Sequence, residues 1–181
     1  MGAVILAARF CPEMGFATGV WYAMFHSVSA FCNAGFDLIG IRSPFSSLTT
    51  YASQPVINLT IMALIIVGGI GFLTWEDVKR NRLHFSRYRM QSKVILVTTA
   101  VLIAAPAAWF FFFEFSELPL GTRLLSSLFQ SVTPRTAGFN TADLTKMTEA
   151  GQMLMIVLML IGGSPGSTAG GMKTTTIAVI F

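Results

Sequence analysis

Phe25-His-Ser-Val-Ser-Ala-Phe-Cys-Asn-Ala-Gly35-Phe36-Asp37 is answered later in the chain by Phe129-Gln-Ser-Val-Thr-Pro-Arg-Thr-Ala-Gly138-Phe139-Asn140. In each copy a Phe-x-Ser-Val-Ser/Thr run leads into an Ala-Gly-Phe-Asp/Asn turn, and the second copy is one residue shorter. A single Ala-Gly-Phe is an ordinary tight turn. Two of them, each behind a short apolar helix, predict equivalent loops built around one axis.

The chain has 181 residues, of which 54% are hydrophobic, 11% are charged and 16 are Phe; its mean hydropathy is +0.68. A soluble domain carries roughly 25% charged residues, so the water-facing surface is largely missing and lipid is the expected solvent. The net charge of +4 does not point to nucleic acid. Half of the 12 basic residues, Lys79, Arg80, Arg82, Arg87, Arg89 and Lys93, fall in one segment between two apolar stretches. That distribution reads as a cytoplasmic loop under the positive-inside rule. No basic face extends beyond it, so no nucleic-acid partner is expected. Cys11 and Cys32 lack His partners at ligand spacing and read as free thiols packed in apolar surroundings. No acid–base pair, nucleophile, metal cluster, redox site or cofactor motif stands out, which argues against an enzyme. Residues 1–10 lack a basic leader and a small-residue cleavage site. Both termini run into apolar segments, as expected of a piece of a longer protein.

The pattern along the chain predicts an all-α membrane protein. Its units are repeated helix–pore loop–helix modules with re-entrant pore helices and one broken transmembrane helix. Residues 1–12 read as the outer end of a span, with Arg9, Pro12 and Glu13 marking its exit. Residues 18–32 make a helix of roughly 22 Å, too short for a hydrocarbon core of about 30 Å. Residues 37–53 are a polar loop. Residues 55–75 form a charge-free span, in which Gly68-Gly69-Ile70-Gly71 permits close packing or a local break. Residues 76–93 form the basic loop. Residues 94–113 form a second span, with Pro106 as a kink and Trp109 and Phe110 to Phe113 at the interface. Residues 119–133 repeat the short helix. A third descending span over 148–161 then collapses into Gly162-Gly-Ser-Pro-Gly-Ser-Thr-Ala-Gly-Gly171, where no helix propagates well.

The expected organisation is one repeat over 1–80, the core of the cytoplasmic loop over 81–93, and a second repeat over 94–181. Loop 76–93 faces the cytoplasm and both glycine turns face outside. The outer loops carry Asp37, Glu114, Glu117, Asp143 and Glu149 against Arg42, Arg123 and Lys146, with no basic excess.

Dehydrating a cation requires several oxygens at fixed distance, and extended backbone can supply carbonyls for this. Glycine serves such a turn because it reaches positive φ cheaply. The candidate donors are the backbone carbonyls of Asn33, Ala34, Gly35 and Phe36, and of Thr136, Ala137, Gly138 and Phe139. The short helices point their partly negative C-terminal ends at these turns, which favours cations.

These segments resemble pore loops of the Ktr/Trk/HKT potassium transporter family. Residues 25–38 resemble its second pore loop and 133–141 its third. Residues 162–174 resemble the intramembrane gate loop of the third repeat. The wording is nearest the Ktr-type ion-translocating membrane subunit. The resemblance implies four repeats around one pseudo-fourfold pore, of which this chain holds most of the second and third. It implies a multi-pass plasma-membrane protein that moves K⁺ through a carbonyl-lined filter, with Na⁺ as a candidate coupling ion. It also implies a homodimer of full-length subunits on a cytoplasmic nucleotide-binding ring. The basic loop is a candidate contact for that ring or for anionic lipid. The alternative is a truncated membrane or assembly module with no transport of its own. K⁺ over Na⁺ preference is not fixed by these loops.

The implied gate comprises Gly162, Gly163, Ser164, Pro165, Gly166, Ser167, Thr168, Ala169, Gly170, Gly171 and Lys173. Irregular backbone at membrane depth is tolerated only inside protein or along a water-filled cavity. A competing phosphate-loop reading of Gly166 to Thr174 fails on spacing, because Met172 intrudes before the lysine. Lys173 either adds a charge that raises the barrier to cations in the occluded path or snorkels to the inner surface. His26 is expected to be a hydrogen-bonded structural residue. Arg135 is expected to tether its turn through hydrogen bonds to neighbouring backbone.

Overall fold

The computed structural model describes residues 1–41, 46–82 and 84–180; Arg42 and part of the 37–53 loop lie outside them. Its elements fall into two similar sets. In the first, α1 (Gly2–Met14) and α2 (Phe16–Phe31) form a hairpin hinged on Gly15, and α3 (Pro55–Gly69) returns beside them. In the second, α5 (Met90–Trp109) rises, α6 (Leu120–Val132) turns back, and α7 (Glu149–Leu160) descends. Between the sets lies α4 (Phe72–Asn81), and α8 (Thr174–Ile180) closes the described chain.

Pro55 opens α3, where its missing N–H leaves no partner unsatisfied. The span expected over 55–75 is not straight. It ends at Gly69, and α4 leaves at 100°. Gly71, at φ 88°, supplies the left-handed residue that the corner requires. The basic segment is correspondingly less loop-like than its composition suggests, because α4 runs to Asn81 and places Lys79 and Arg80 in its last turn. Cations are favoured there by the helix dipole. Asp77, buried on α4, fastens the returning chain. Its Oδ2 accepts from Ser92 Oγ at 2.6 Å and from the Arg89 amide at 3.2 Å, and its Oδ1 lies 3.5 Å from Arg89 Nε.

Helix α5 passes through Pro106 without ending, and the irregularity falls just beyond, as a π-turn over Phe110–Glu114. Together they give 25 residues, long and apolar enough to cross a membrane. Arg123 reaches across from α6, donating Nε to the Phe111 carbonyl at 2.7 Å and stacking 4.2 Å over the Phe111 ring. At the end of the π-turn Glu114 accepts from both the amide and the hydroxyl of Thr148, at 2.8 and 2.7 Å. Thr148 in turn caps α7 by accepting from the Gly151 amide. This clamp fixes where α7 begins.

One core serves both sets. Phe129 and Phe139, from the second, are buried with Leu6, Phe10, Ala23 and Ile61 of the first. A satellite cluster of Phe110, Phe115, Met147, Met155 and Leu158 joins the turn that follows α5 to α7. In lipid, apolar contact between helices has little hydrophobic driving force, because acyl chains are as apolar as Leu. Close packing and hydrogen bonds must therefore hold the sets together. Both cysteines are free, as expected, although Cys32 is exposed rather than packed.

Candidate functional site

The helices α2 and α6 both end at the turns that the sequence repeat marked. The first turn passes through Asn33 at φ 53° and Gly35 at φ 74°; the second passes through Thr136 at φ 75° and Gly138 at φ 86°. A hydroxyl pins each turn to its own helix. Ser29 Oγ donates to the Phe36 carbonyl at 2.7 Å, and Thr133 Oγ1 makes the corresponding short bond to the Phe139 carbonyl. The backbone repeats the pattern: the Ala34 amide donates to Ser29 O, and the Gly138 amide to Thr133 O. Ser29 and Thr133 are the Ser/Thr of the repeated motif, so its spacing carried this signal although their anchoring role was not anticipated.

The two turns meet. A Cβ built on Gly35 would fall 2.0 Å from the Ala137 carbonyl oxygen and 3.2 Å from Gly138 Cα. The Gly35 side of the first turn therefore abuts the backbone of the second, which no side chain would permit. The carbonyls of Phe36 and Phe139 are engaged by their hydroxyl anchors. Those of Asn33, Ala34, Gly35, Thr136, Ala137 and Gly138 accept no hydrogen bond from the described residues.

Behind each turn the helices differ. His26 is fully buried, with Nδ1 2.7 Å from the Tyr22 carbonyl and Nε2 accepting from the Leu38 amide at 3.4 Å. It thus takes the structural role expected of it. Its ring also lies 6.4 Å from that of Phe139 in the other turn. Gln130 occupies the same motif position on α6. It is fully buried, and neither of its amide atoms has a partner among the described residues. It lines an open pocket of about 370 Å³ with Ala34, Thr136, Met155 and Met159.

Past the second turn α7 stops at Leu160, and residues 162–173 run as irregular chain. Ile161 and Met172 bridge its two ends. The loop docks on the broken end of α3: the Ser164 amide donates to Gly69 O at 2.9 Å and the Thr168 amide to Gly68 O at 3.2 Å. In return the Phe72 amide donates to Gly166 O at 3.0 Å. Within the loop the Gly162 and Gly163 amides donate to Met172 O and Gly170 O. Lys173 is half-buried at the end of the loop. Its Nζ donates to the Ala169 carbonyl at 2.8 Å, closing the loop on itself. Ser164 Oγ and Thr174 Oγ1, both buried, pair at 3.0 Å.

Arg135 departs from expectation. It makes no hydrogen bond among the described residues, and its buried Nε is unpartnered. It borders a small void with Asn33, Gly69, Thr99 and Gly163, so it sits between turn and loop without tethering either.

Short helices that turn back at glycine corners, twice in one chain, together with an apolar helix long enough to cross a membrane, fit a membrane protein built of re-entrant units. The family model for cation transport proteins of the TrkH type matches residues 1–181, and the chain belongs to that family. Across its whole length it is 44% identical to the potassium/sodium uptake protein NtpJ of Enterococcus hirae. It is 40% identical to the Ktr system potassium uptake protein B of Vibrio alginolyticus and 39% identical to that of Bacillus subtilis. It spans 40%, 40% and 41% of those three proteins. The crystal structure of the potassium transporter TrkH from Vibrio parahaemolyticus superposes with a TM-score of 0.75 at 20% identity, over 99% of this chain and 37% of that one.

Proposed function

We propose that this chain forms two of the walls of a potassium pathway, with the turns at Gly35 and Gly138 as part of a carbonyl-lined filter. The observation that carries this reading is the meeting of the two turns. The Gly35 backbone lies against Ala137 O, and six carbonyls of these segments have no partner among the described residues. Free carbonyls held at one place can replace a cation's hydration shell. Of the eight carbonyls in the two turns, those of Phe36 and Phe139 contribute least, since a hydroxyl already occupies each. Similar proteins named for potassium or potassium/sodium uptake support K⁺ as the cargo, with Na⁺ as a coupling or competing ion. Two turns leave the ring open, so the remaining carbonyls belong to other parts of the intact protein.

The loop 162–173 is the gate in this reading. Its supports are its contact with the first turn, through Thr168 and Asn33, and its composition of small residues, which change backbone state at low cost. Lys173 acts there first as a brace, through Ala169. The basic segment 76–93 faces the cytoplasm and both turns face outward, in keeping with the placement of charge. That segment meets anionic lipid or a cytoplasmic regulatory subunit, and the full-length subunit pairs with a second copy. The relatives named for a Ktr system are in keeping with a multi-component assembly.

Uptake of Rb⁺ as a K⁺ tracer tests the reading, in cells lacking other potassium systems and supplied with the intact parent. Uptake that saturates with external K⁺ is expected. No uptake from a protein that reaches the membrane supports the alternative, a membrane or assembly module without transport.

A further inference from the structure

We propose that Thr168 is a positioning residue for cation preference, relaying the state of the gate loop to the first filter turn. The inference rests on the filter and gate reading above. The Thr168 hydroxyl donates to the Phe31 carbonyl at 2.8 Å and accepts from Asn33 Nδ2 at 2.9 Å. A hydroxyl has one proton and two lone pairs, so it makes both bonds at once. Phe31 ends α2, and its carbonyl is one of those that a helix C-terminus leaves unpaired. Thr168 therefore caps the pore helix and grips the residue that opens the turn.

The grip is tight. Asn33 is buried and sits at φ 53°, a left-handed conformation that Asn tolerates better than most residues. The Thr168 amide is bonded to Gly68 O. A Cβ on Gly68 would fall 1.9 Å from the Phe31 carbonyl and 2.9 Å from Thr168 Oγ1. Loop, pore helix and the end of α3 thus converge on one hydroxyl. At its other end the same turn is pinned by Ser29 to Phe36 O.

The second turn has no such link among the described residues. Thr136 holds the position of Asn33, also at positive φ, yet its Oγ1 is buried and unpartnered among the described residues. The gate loop therefore grips one turn by a side chain and leaves the other to its own helix. A loop displacement that breaks the Thr168 bonds leaves the Asn33 side chain only its longer 3.5 Å bond to Phe31 O, within its own turn, and lets the carbonyls that follow it reorient. Cation preference depends on the number and orientation of such carbonyls, so opening the loop changes which ion the filter prefers as well as how fast ions pass.

The test uses the intact parent in proteoliposomes, with Rb⁺ uptake measured against increasing Na⁺ as competitor. Thr168→Val, which keeps the shape and removes the hydroxyl, should lower the preference over Na⁺ about three- to tenfold, while Thr168→Ser stays within about twofold of the parent. Combined with Asn33→Ala, Thr168→Val should cost no more than the larger single effect, because both substitutions break one relay. The ratio is the informative readout, since loss of folded protein lowers Rb⁺ and Na⁺ entry alike. A parental ratio in Thr168→Val, or full additivity with Asn33→Ala, overturns the proposal. If the valine variant does not reach the membrane, Thr168→Ala takes its place in the same cycle. An unsubstituted parent that takes up no Rb⁺ sinks the underlying transport reading instead, before any variant is compared.

Discussion

The hydroxyl of Ser29 donates to the carbonyl of Phe36 at 2.7 Å, seven residues on. Thr133 and Phe139 repeat the bond in the second turn. The repeated motif is therefore a hydrogen-bonding unit, in which a pore helix ends and its own last turn fixes the far side of the glycine corner. Removing one such bond is expected to cost about 0.5–1.5 kcal/mol, or roughly two- to tenfold in an equilibrium constant. Thr133→Val should weaken K⁺ protection against thermal unfolding by about that factor, and Thr133→Ser should restore it. Equal protection in all three proteins would show that the anchor does not shape the ion site.

The two corner glycines are not equivalent. Alanine at either position meets a positive φ, a cost of roughly 1–2 kcal/mol. At Gly138 that is nearly the whole cost, since the nearest atom to a new Cβ, Gly35 Cα, is 3.7 Å away. At Gly35 the methyl also overlaps Ala137 O. Gly138→Ala should leave reduced but measurable Rb⁺ uptake, whereas Gly35→Ala should abolish it and lower the melting temperature further. The reverse order would mean that the turns do not meet in the intact protein.

Lys173 braces loop 162–173, the proposed gate, through Ala169 O. Lys173→Met removes both the donor and the charge, while Lys173→Arg keeps both. The methionine variant should raise closed-state leak, and the arginine variant should stay near the parent. Rb⁺ efflux from loaded proteoliposomes without activating conditions gives the comparison, and an unchanged leak in Lys173→Met removes Lys173 from the gate.

Asp77 holds the basic segment through Ser92 and Arg89. Asp77→Ala should free this segment and speed tryptic cleavage at its lysines and arginines, without changing cleavage near Lys146, which none of these bonds reaches. Limited proteolysis in detergent followed by mass spectrometry reads the difference.

Much of this architecture was legible. The short helices, the glycine corners and the collapse of α7 into residues 162–171 follow from span length, positive-φ residues and helix propensity. The corner between α3 and α4 was legible only as a permissive run of glycines. Its angle depends on Phe72 bonding to Gly166 in a distant segment, and local sequence does not encode that partner. Arg135 was misread for a similar reason: its isolation is set by Asn33, Gly69 and Gly163, which converge on it from other elements. The Thr168–Asn33 bond joins residues 135 positions apart, and no spacing rule reaches that far. Ser29 and Thr133 lay between these cases, visible as a motif but not as an anchor.

The shared core bears on what a nick would do. Phe129 and Phe139 are lodged among Leu6, Phe10 and Ile61, so each half of the polypeptide plugs a hole in the other. Scission in the stretch near Arg87 would sever the covalent link and leave this mutual embrace intact. The two pieces should migrate together through a sizing column in mild detergent and part only when the aromatic plugs are withdrawn.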